Sequence, residues 1–170
     1  MIDELKESLW RQFGASIDML DNAIKSYPEA QWQAHPRVFY MSYHTLVFLD
    51  YYLTMPPPAG FSAALPFTLI DPENIPPDAL DDLLPDRIYT KDELLAYLHT
   101  SRAKCRQLID GLTEEKIKAR WIEEDGGMNY SQLEILLYNM RHVQHHAAQL
   151  TLLLRQQTGE GARWVARGHN

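Results

Sequence analysis

Eight of the ten prolines in this 170-residue chain fall between Met55 and Tyr89. Proline has no amide hydrogen to donate, and its ring collides with the carbonyl one turn back, so no long helix can run through that stretch. The sequence on either side has helical periodicity. Leu5, Leu9, Phe13, Ile17, Leu20 and Ile24 recur at helical spacing and predict a first helix from about Ile2 to Ser26, closed by Pro28. A short polar turn follows. Pro36 then suits the first position of a second helix, where no intrahelical donor is needed, and Val38 to Thr54 continues it. The third helix opens on Thr90-Lys-Asp-Glu93, a capping box, carries Leu94, Leu95, Leu98, Cys105, Leu108 and Ile109, and stops at Gly111. A short turn or helix at Thr113–Arg120 leads through Trp121 to a turn at Gly126-Gly127. The fourth helix starts near Asn129 or Ser131, where Ser131-Gln-Leu-Glu134 is a second capping box, and runs to about Thr158 before Gly159. The expected fold is all-α: a four-helix bundle, one domain over residues 1–170. The proline-rich segment is its long crossover between helices two and three. Helices in bundles are usually joined by roughly two to eight residues, so this link can cross the bundle and lid one end. The tail Ala162–Asn170, with Trp164 and Val165, is expected to tuck back onto the body.

Sixteen Lys and Arg against twenty-three Asp and Glu give a net charge of −7. That field repels a phosphate backbone, and no basic stripe overrides it, so nucleic acid is excluded as a partner. No stretch approaches the roughly 18 apolar residues that span a membrane. The amphipathic start, MIDELKESLWRQF, lacks the apolar core of a signal peptide. The single Cys105 has no internal partner for a disulfide, which suits a reducing compartment, so the expected location is cytoplasmic. Gly-rich phosphate loops, dinucleotide fingerprints and a defensible Ser-His-Asp set are all missing.

Seven histidines are present, and their placement is informative. Leu136, Met140, Val143, Ala147, Leu150 and Leu154 define the buried direction of the fourth helix. At about 100° per residue, His146 lies roughly 80° from that direction, His142 roughly 120° and His145 roughly 180°. His142 and His146 therefore share one flank of the core-facing arc, their Cβ atoms about 5–6 Å apart, and two imidazoles can converge on one ion. His145 points toward solvent or a neighbouring chain. His44 rides an apolar stripe of the second helix with Tyr40, Met41, Val47, Phe48 and Tyr51 around it. Taken singly, His44 reads first as a core histidine bonded to a carbonyl or a tyrosine hydroxyl. Taken together, the three fit a site in which facing helices supply ligands to a bundle core.

Three neutral imidazoles with an open fourth position make a catalytic type of site, where a water or a thiol can be acidified. Zinc and nickel both suit imidazole. A two-His, one-carboxylate iron site using Asp50 or Glu134 ranks lower, because Asp50 lies six residues past His44, off its face. Asn139 can contact a bound ligand or cap a buried carbonyl. Gln149 can orient a ligand or lie exposed. Tyr40, Tyr43, Tyr51 and Tyr52 can line a pocket, although aromatics at this spacing are more often core. Cys105 reads as a buried, inert thiol. The acidic run Asp78–Asp86 reads as a solvated loop face. Ile135, Leu152 and Leu153 lie outside the main stripe of the last helix and offer a dimer surface.

His44, the His142-x-x-x-His146 pair and the Gln149 that follows also carry a resemblance. The sequence resembles the DinB-like, damage-inducible superfamily of metal-dependent helical bundles over essentially its whole length. The resemblance implies His44, His142 and His146 on one divalent ion, zinc or nickel, and often a homodimer. Some members of that group transfer or isomerise with low-molecular-weight thiols such as bacillithiol or mycothiol. What it implies here is a metal-dependent transferase or hydrolase acting on a small-molecule substrate. The alternative is a non-catalytic binding or stress-response protein in which a metal, if any, only ties two helices together. The additional domain of the mycothiol-isomerase type is not expected.

Overall fold

A computed structural model describes residues 1–57 and 59–169. The chain is mostly helical. It runs α1 (Ile2–Ser26), α2 (Glu29–Ala34), α3 (Pro36–Tyr52), α4 (Lys91–Asp110) and α5 (Gln132–Thr158). Four short strands, β1 (Phe67–Leu69), β2 (Leu83–Pro85), β3 (Arg120–Ile122) and β4 (Asn129–Ser131), make two antiparallel hairpins.

The long helices begin and end where local chemistry says they should. At the head of α4 the Thr90 hydroxyl accepts from the Glu93 amide, and the Glu93 carboxylate accepts from the Thr90 amide. Ser131 and Glu134 repeat this reciprocal cap on α5, satisfying donors that a helix start leaves orphaned. Gly159 closes α5 at φ +85, a left-handed conformation that a side chain makes costly. Around the four long helices the contacts close into a ring: α1 packs on α5 and α4, and α3 packs on the same two. The core between them is apolar: Phe13, Ile17 and Leu20 from α1, Leu46 and Leu49 from α3, Leu94 and Leu98 from α4, and Leu136, Val143 and Leu150 from α5, all fully buried. No described helix is long and apolar enough to cross a membrane.

The structure departs from the sequence-based expectations in four places. The polar turn after α1 holds the six-residue α2, pinned by Trp32 at 2% exposure; six residues are too few to show a period. Helix α3 ends at Tyr52, two residues before the expected Thr54. The two hairpins break an otherwise all-helical pattern, each strand being only three residues long. In the second hairpin, Trp121 is buried between exposed Arg120 and Ile122, and its indole N–H donates to the Thr54 carbonyl at 3.0 Å. Finally, Ile135 is not a dimer surface residue. It is fully buried with Tyr52 and Trp121 in a second apolar cluster, whereas Leu152 is 55% exposed and Leu153 packs partly on the main core.

Two other connections are anchored. The Tyr43 hydroxyl donates to the carbonyls of Leu65 (2.8 Å) and Pro66 (2.9 Å), and the Tyr89 hydroxyl donates to Pro66 as well (3.2 Å). The two Tyr43 bonds tie the segment that follows α3 back onto α3, and the Tyr89 bond braces the segment internally. The C-terminal tail lies against α1: the Gly168 amide donates to the Arg11 carbonyl, the Val165 amide contacts the Met19 sulfur, and the Asn22 amide group donates to the Arg163 carbonyl. Trp164 stays exposed.

Candidate metal centre

Three histidines from two helices converge. One ring nitrogen from each of His44, His142 and His146 lies within 4.8 Å of the other two. The ring centroids of His142 and His146 are 4.6 Å apart, and that of His44 lies 5.2 and 5.0 Å from them. The geometry follows from the sequence. An i, i+4 pair on α5 sets its two rings edge to face on one side of the helix, and the α3–α5 contact brings His44 opposite. Asn139 helps to set that contact: fully buried on α5, it donates from Nδ2 to the Leu49 carbonyl of α3 at 2.9 Å.

Hydrogen bonds at the far side of two rings decide which nitrogen faces inward. The Asp81 carboxylate Oδ2 lies 2.8 Å from His44 Nδ1, and Gln149 Oε1 lies 2.8 Å from His146 Nδ1. Both partners are acceptors, so both Nδ1 atoms carry the proton and both Nε2 atoms present a lone pair. His44 Nε2 is 3.1 Å from His142 Nε2. Two nitrogens bound to one tetrahedral ion at about 2.0–2.1 Å would lie about 3.3–3.4 Å apart, so this one pair is spaced close to what a shared ion requires. His142 Nδ1 is buried and has no hydrogen-bond partner among the described residues.

Burial also keeps His142 and His146 neutral. Desolvation first, and then the neighbouring His146 and His44, push the His142 pKa down to about 3. Desolvation and His44 push that of His146 down to about 4, although the Gln149 bond works in the opposite direction. An imidazole that stays unprotonated at neutral pH is a competent ligand. The three-imidazole donor set therefore fits a divalent metal ion. Apolar rings wall the site: the Phe48 ring is 4.7 Å from that of His44 and 5.9 Å from that of His142, with Tyr52 6.1 Å from His142.

The other candidates separate cleanly. Asp50 is engaged elsewhere, accepting from Lys104 Nζ at 2.6 Å and from the Tyr97 hydroxyl at 2.7 Å. Glu134 caps α5. Neither joins the three histidines, so the expected alternative of two histidines with Asp50 or Glu134 does not form. His145 is exposed, with its ring 5.0 Å from that of His146. Tyr43 and Tyr52 are buried, and Tyr40 and Tyr51 are half-buried; the Tyr51 hydroxyl donates to Glu123 at 3.0 Å. Cys105 is fully buried, and desolvation pushes its thiol pKa up strongly, which makes it inert.

Asp81 is the residue that sequence reasoning missed. It lies within the acidic run Asp78–Asp86, read there as solvated, and sits 37 positions from His44. No local period links such a pair. The available signal was chemical: a ligand histidine needs an acceptor for its second nitrogen.

Of the comparisons with known proteins, one finds a match. The family model described as the DinB superfamily matches residues 12–150, a span that begins in α1 and ends within α5 and includes all three histidines. No curated protein and no solved structure matches the chain significantly. A match over most of the chain, joined to the three converging imidazoles, settles the relationship: this chain belongs to the DinB superfamily.

Proposed function

We propose that this chain is a one-domain four-helix bundle, crossed over by its proline-rich segment. In this reading it holds one divalent ion, zinc or nickel, on His44, His142 and His146, and works as a metal-dependent transferase or hydrolase of the thiol-using type. The carrying observation is the convergence of three imidazoles from two helices, two of them held with Nε2 inward. When bound, the ion supplies Lewis acidity at whatever position three nitrogen ligands leave open, acidifying a water or thiol there. The protein's own contributions are orientation and shielding. Asp81 and Gln149 fix the tautomers of His44 and His146, and Phe48 and Tyr52 place apolar surface beside His142. A small-molecule substrate, a low-molecular-weight thiol, a cytoplasmic setting and a homodimer complete the reading.

A second reading is favoured by the limited exposure of the ligands, 16% for the His44 side chain and 9% for His146. Here the ion only ties α3 to α5, and the protein binds or protects without catalysing.

The first test is metal content by elemental mass spectrometry on tag-free wild type and His142→Ala, each incubated with zinc and nickel. About one ion per wild-type chain and little in the variant is expected. Empty protein in both cases overturns the metal reading. Metal-dependent turnover across a panel of thiols and electrophiles then separates the two functions; a bound ion with no turnover across that panel, and a melting temperature that falls on chelation, favours the structural role.

A further inference from the structure

We propose that Asp81 is the positioning residue for His44, and that through it metal occupancy and the fold of residues 65–89 become interdependent. The inference rests on the three-histidine reading above and adds to it a coupling between the ion and a distant segment.

Both oxygens of the Asp81 carboxylate are committed. Oδ2 accepts from His44 Nδ1 at 2.8 Å, and Oδ1 accepts from the Leu83 amide at 3.1 Å. One oxygen thus holds a ligand ring and the other holds the start of β2. That strand is in turn held by its neighbours: Leu83 pairs with Leu69 of β1, and the Ile70 amide donates to the Asp82 carbonyl at 3.0 Å. The second anchor of the segment on α3 is the Tyr43 hydroxyl, on Leu65 and Pro66. Tyr43 and His44 are consecutive, so the segment grips α3 at two adjacent residues, one of which faces the metal centre.

The two acceptors at the site are not equivalent. Gln149 is neutral and sits one turn from His146 on the same helix, so its bond orients a ring without reaching beyond α5. Asp81 is charged and arrives from another part of the chain. The side chains of Asp81 and His44 are 25% and 16% exposed, which shields their bond more than a surface pair would be. A cation accepted at Nε2 draws electron density from the imidazole and strengthens the Nδ1–H bond to a carboxylate, and the carboxylate in turn makes Nε2 a better donor to the cation. Linkage then requires reciprocity: whatever Asp81 adds to metal affinity, the metal returns as stability of the Asp81 contact and of the segment behind it.

The test uses the full chain, stripped of metal, as wild type, Asp81→Asn, Asp81→Ala and His142→Ala. Zinc affinity is read by competition with a chromophoric chelator, and amide hydrogen exchange over residues 65–89 is followed with and without zinc. Asp81→Ala is expected to bind zinc about 10–100-fold more weakly, and Asp81→Asn less so, since an amide oxygen can still accept from Nδ1. Zinc is expected to slow exchange over 65–89 in wild type, and that protection is expected to vanish in Asp81→Ala while α1 is unaffected. A merely structural aspartate would alter exchange equally with and without zinc. Wild-type zinc affinity in Asp81→Ala, or unchanged zinc-dependent protection, overturns the inference. Should the alanine variant fail to fold, the same comparison in Asp81→Asn decides it. Wild type that binds zinc no better than His142→Ala overturns the three-histidine reading and this inference with it.

Discussion

Asn139 joins the two helices that carry the histidines, and its two polar atoms fare differently. Nδ2 donates to the Leu49 carbonyl at 2.9 Å, whereas Oδ1 is buried with no partner among the described residues. Leu49 O also accepts from the Leu53 amide at 3.2 Å, so deleting the asparagine does not orphan it. Two substitutions of similar volume then diverge. Asn139→Leu removes one hydrogen bond, a loss of about 1 kcal/mol, and also removes a desolvated acceptor whose burial costs about 1–3 kcal/mol. Its net effect should fall within about 1 kcal/mol of wild type if the side chain packs without strain. Asn139→Asp replaces the donor with an acceptor opposite a carbonyl and buries an unpaired charge, for a loss of about 3–5 kcal/mol. At about 2–4 °C per kcal/mol for a chain of this size, the leucine variant should melt within about 4 °C of wild type. The aspartate variant should melt about 6–20 °C lower at pH 7, and part of its deficit should disappear in mild acid as the carboxyl protonates. Scanning calorimetry on metal-free protein measures both. A leucine variant as damaged as the aspartate one would refute the reasoning, because the Oδ1 atom would then be contributing stability.

Two further outcomes follow from the titratable groups. His142 and His146 are held by burial below their ordinary value, to about 3 and about 4, so between those values and about 6.5 the unfolded chain binds up to two more protons than the folded one. Stability of the metal-free protein should therefore be undiminished above pH 6.5 and fall as pH drops toward 5. Urea midpoints across that window measure it, and a slope unchanged in a His142→Ala, His146→Ala double variant would contradict the assignment. Cys105 should be silent toward a thiol reagent in the native protein and react fully in guanidinium; rapid native modification would show that its burial is wrong.

The parts of the fold that could be read in advance are those set within one or two helical turns. Both capping boxes form, Pro36 sits at the first turn of α3 and Gly159 ends α5, because a cap is settled by residues three or four apart. The His142–His146 flank was legible for the same reason. Ile135 was misread because a helical wheel assumes a single buried direction. Helix α5 is 27 residues long and touches α1, α3 and the β3–β4 hairpin, so it buries a second flank under Trp121. The hairpins and α2 are too short to carry a period. Asp81 was hidden for a different reason: its partner lies on another element, and only the path of the connecting chain brings the two together.

The order in which the chain leaves the ribosome has a bearing on how the centre forms. His44 and Asp81 are 37 residues apart, while His44 and His142 are 98 apart. Helix α4 can gather α1 and α3 against itself as soon as it is made, but the seam opposite it stays open until α5 arrives, since α5 is the other helix that contacts both. During synthesis, then, the first histidine and its carboxylate can be in place while the remaining two ligands do not yet exist. In the proposed metal reading, loading waits until α5 has been made. An ion seated there closes a loop of roughly a hundred residues, an entropic clasp of the kind a long-range disulfide provides, in a chain whose single cysteine cannot form one within itself.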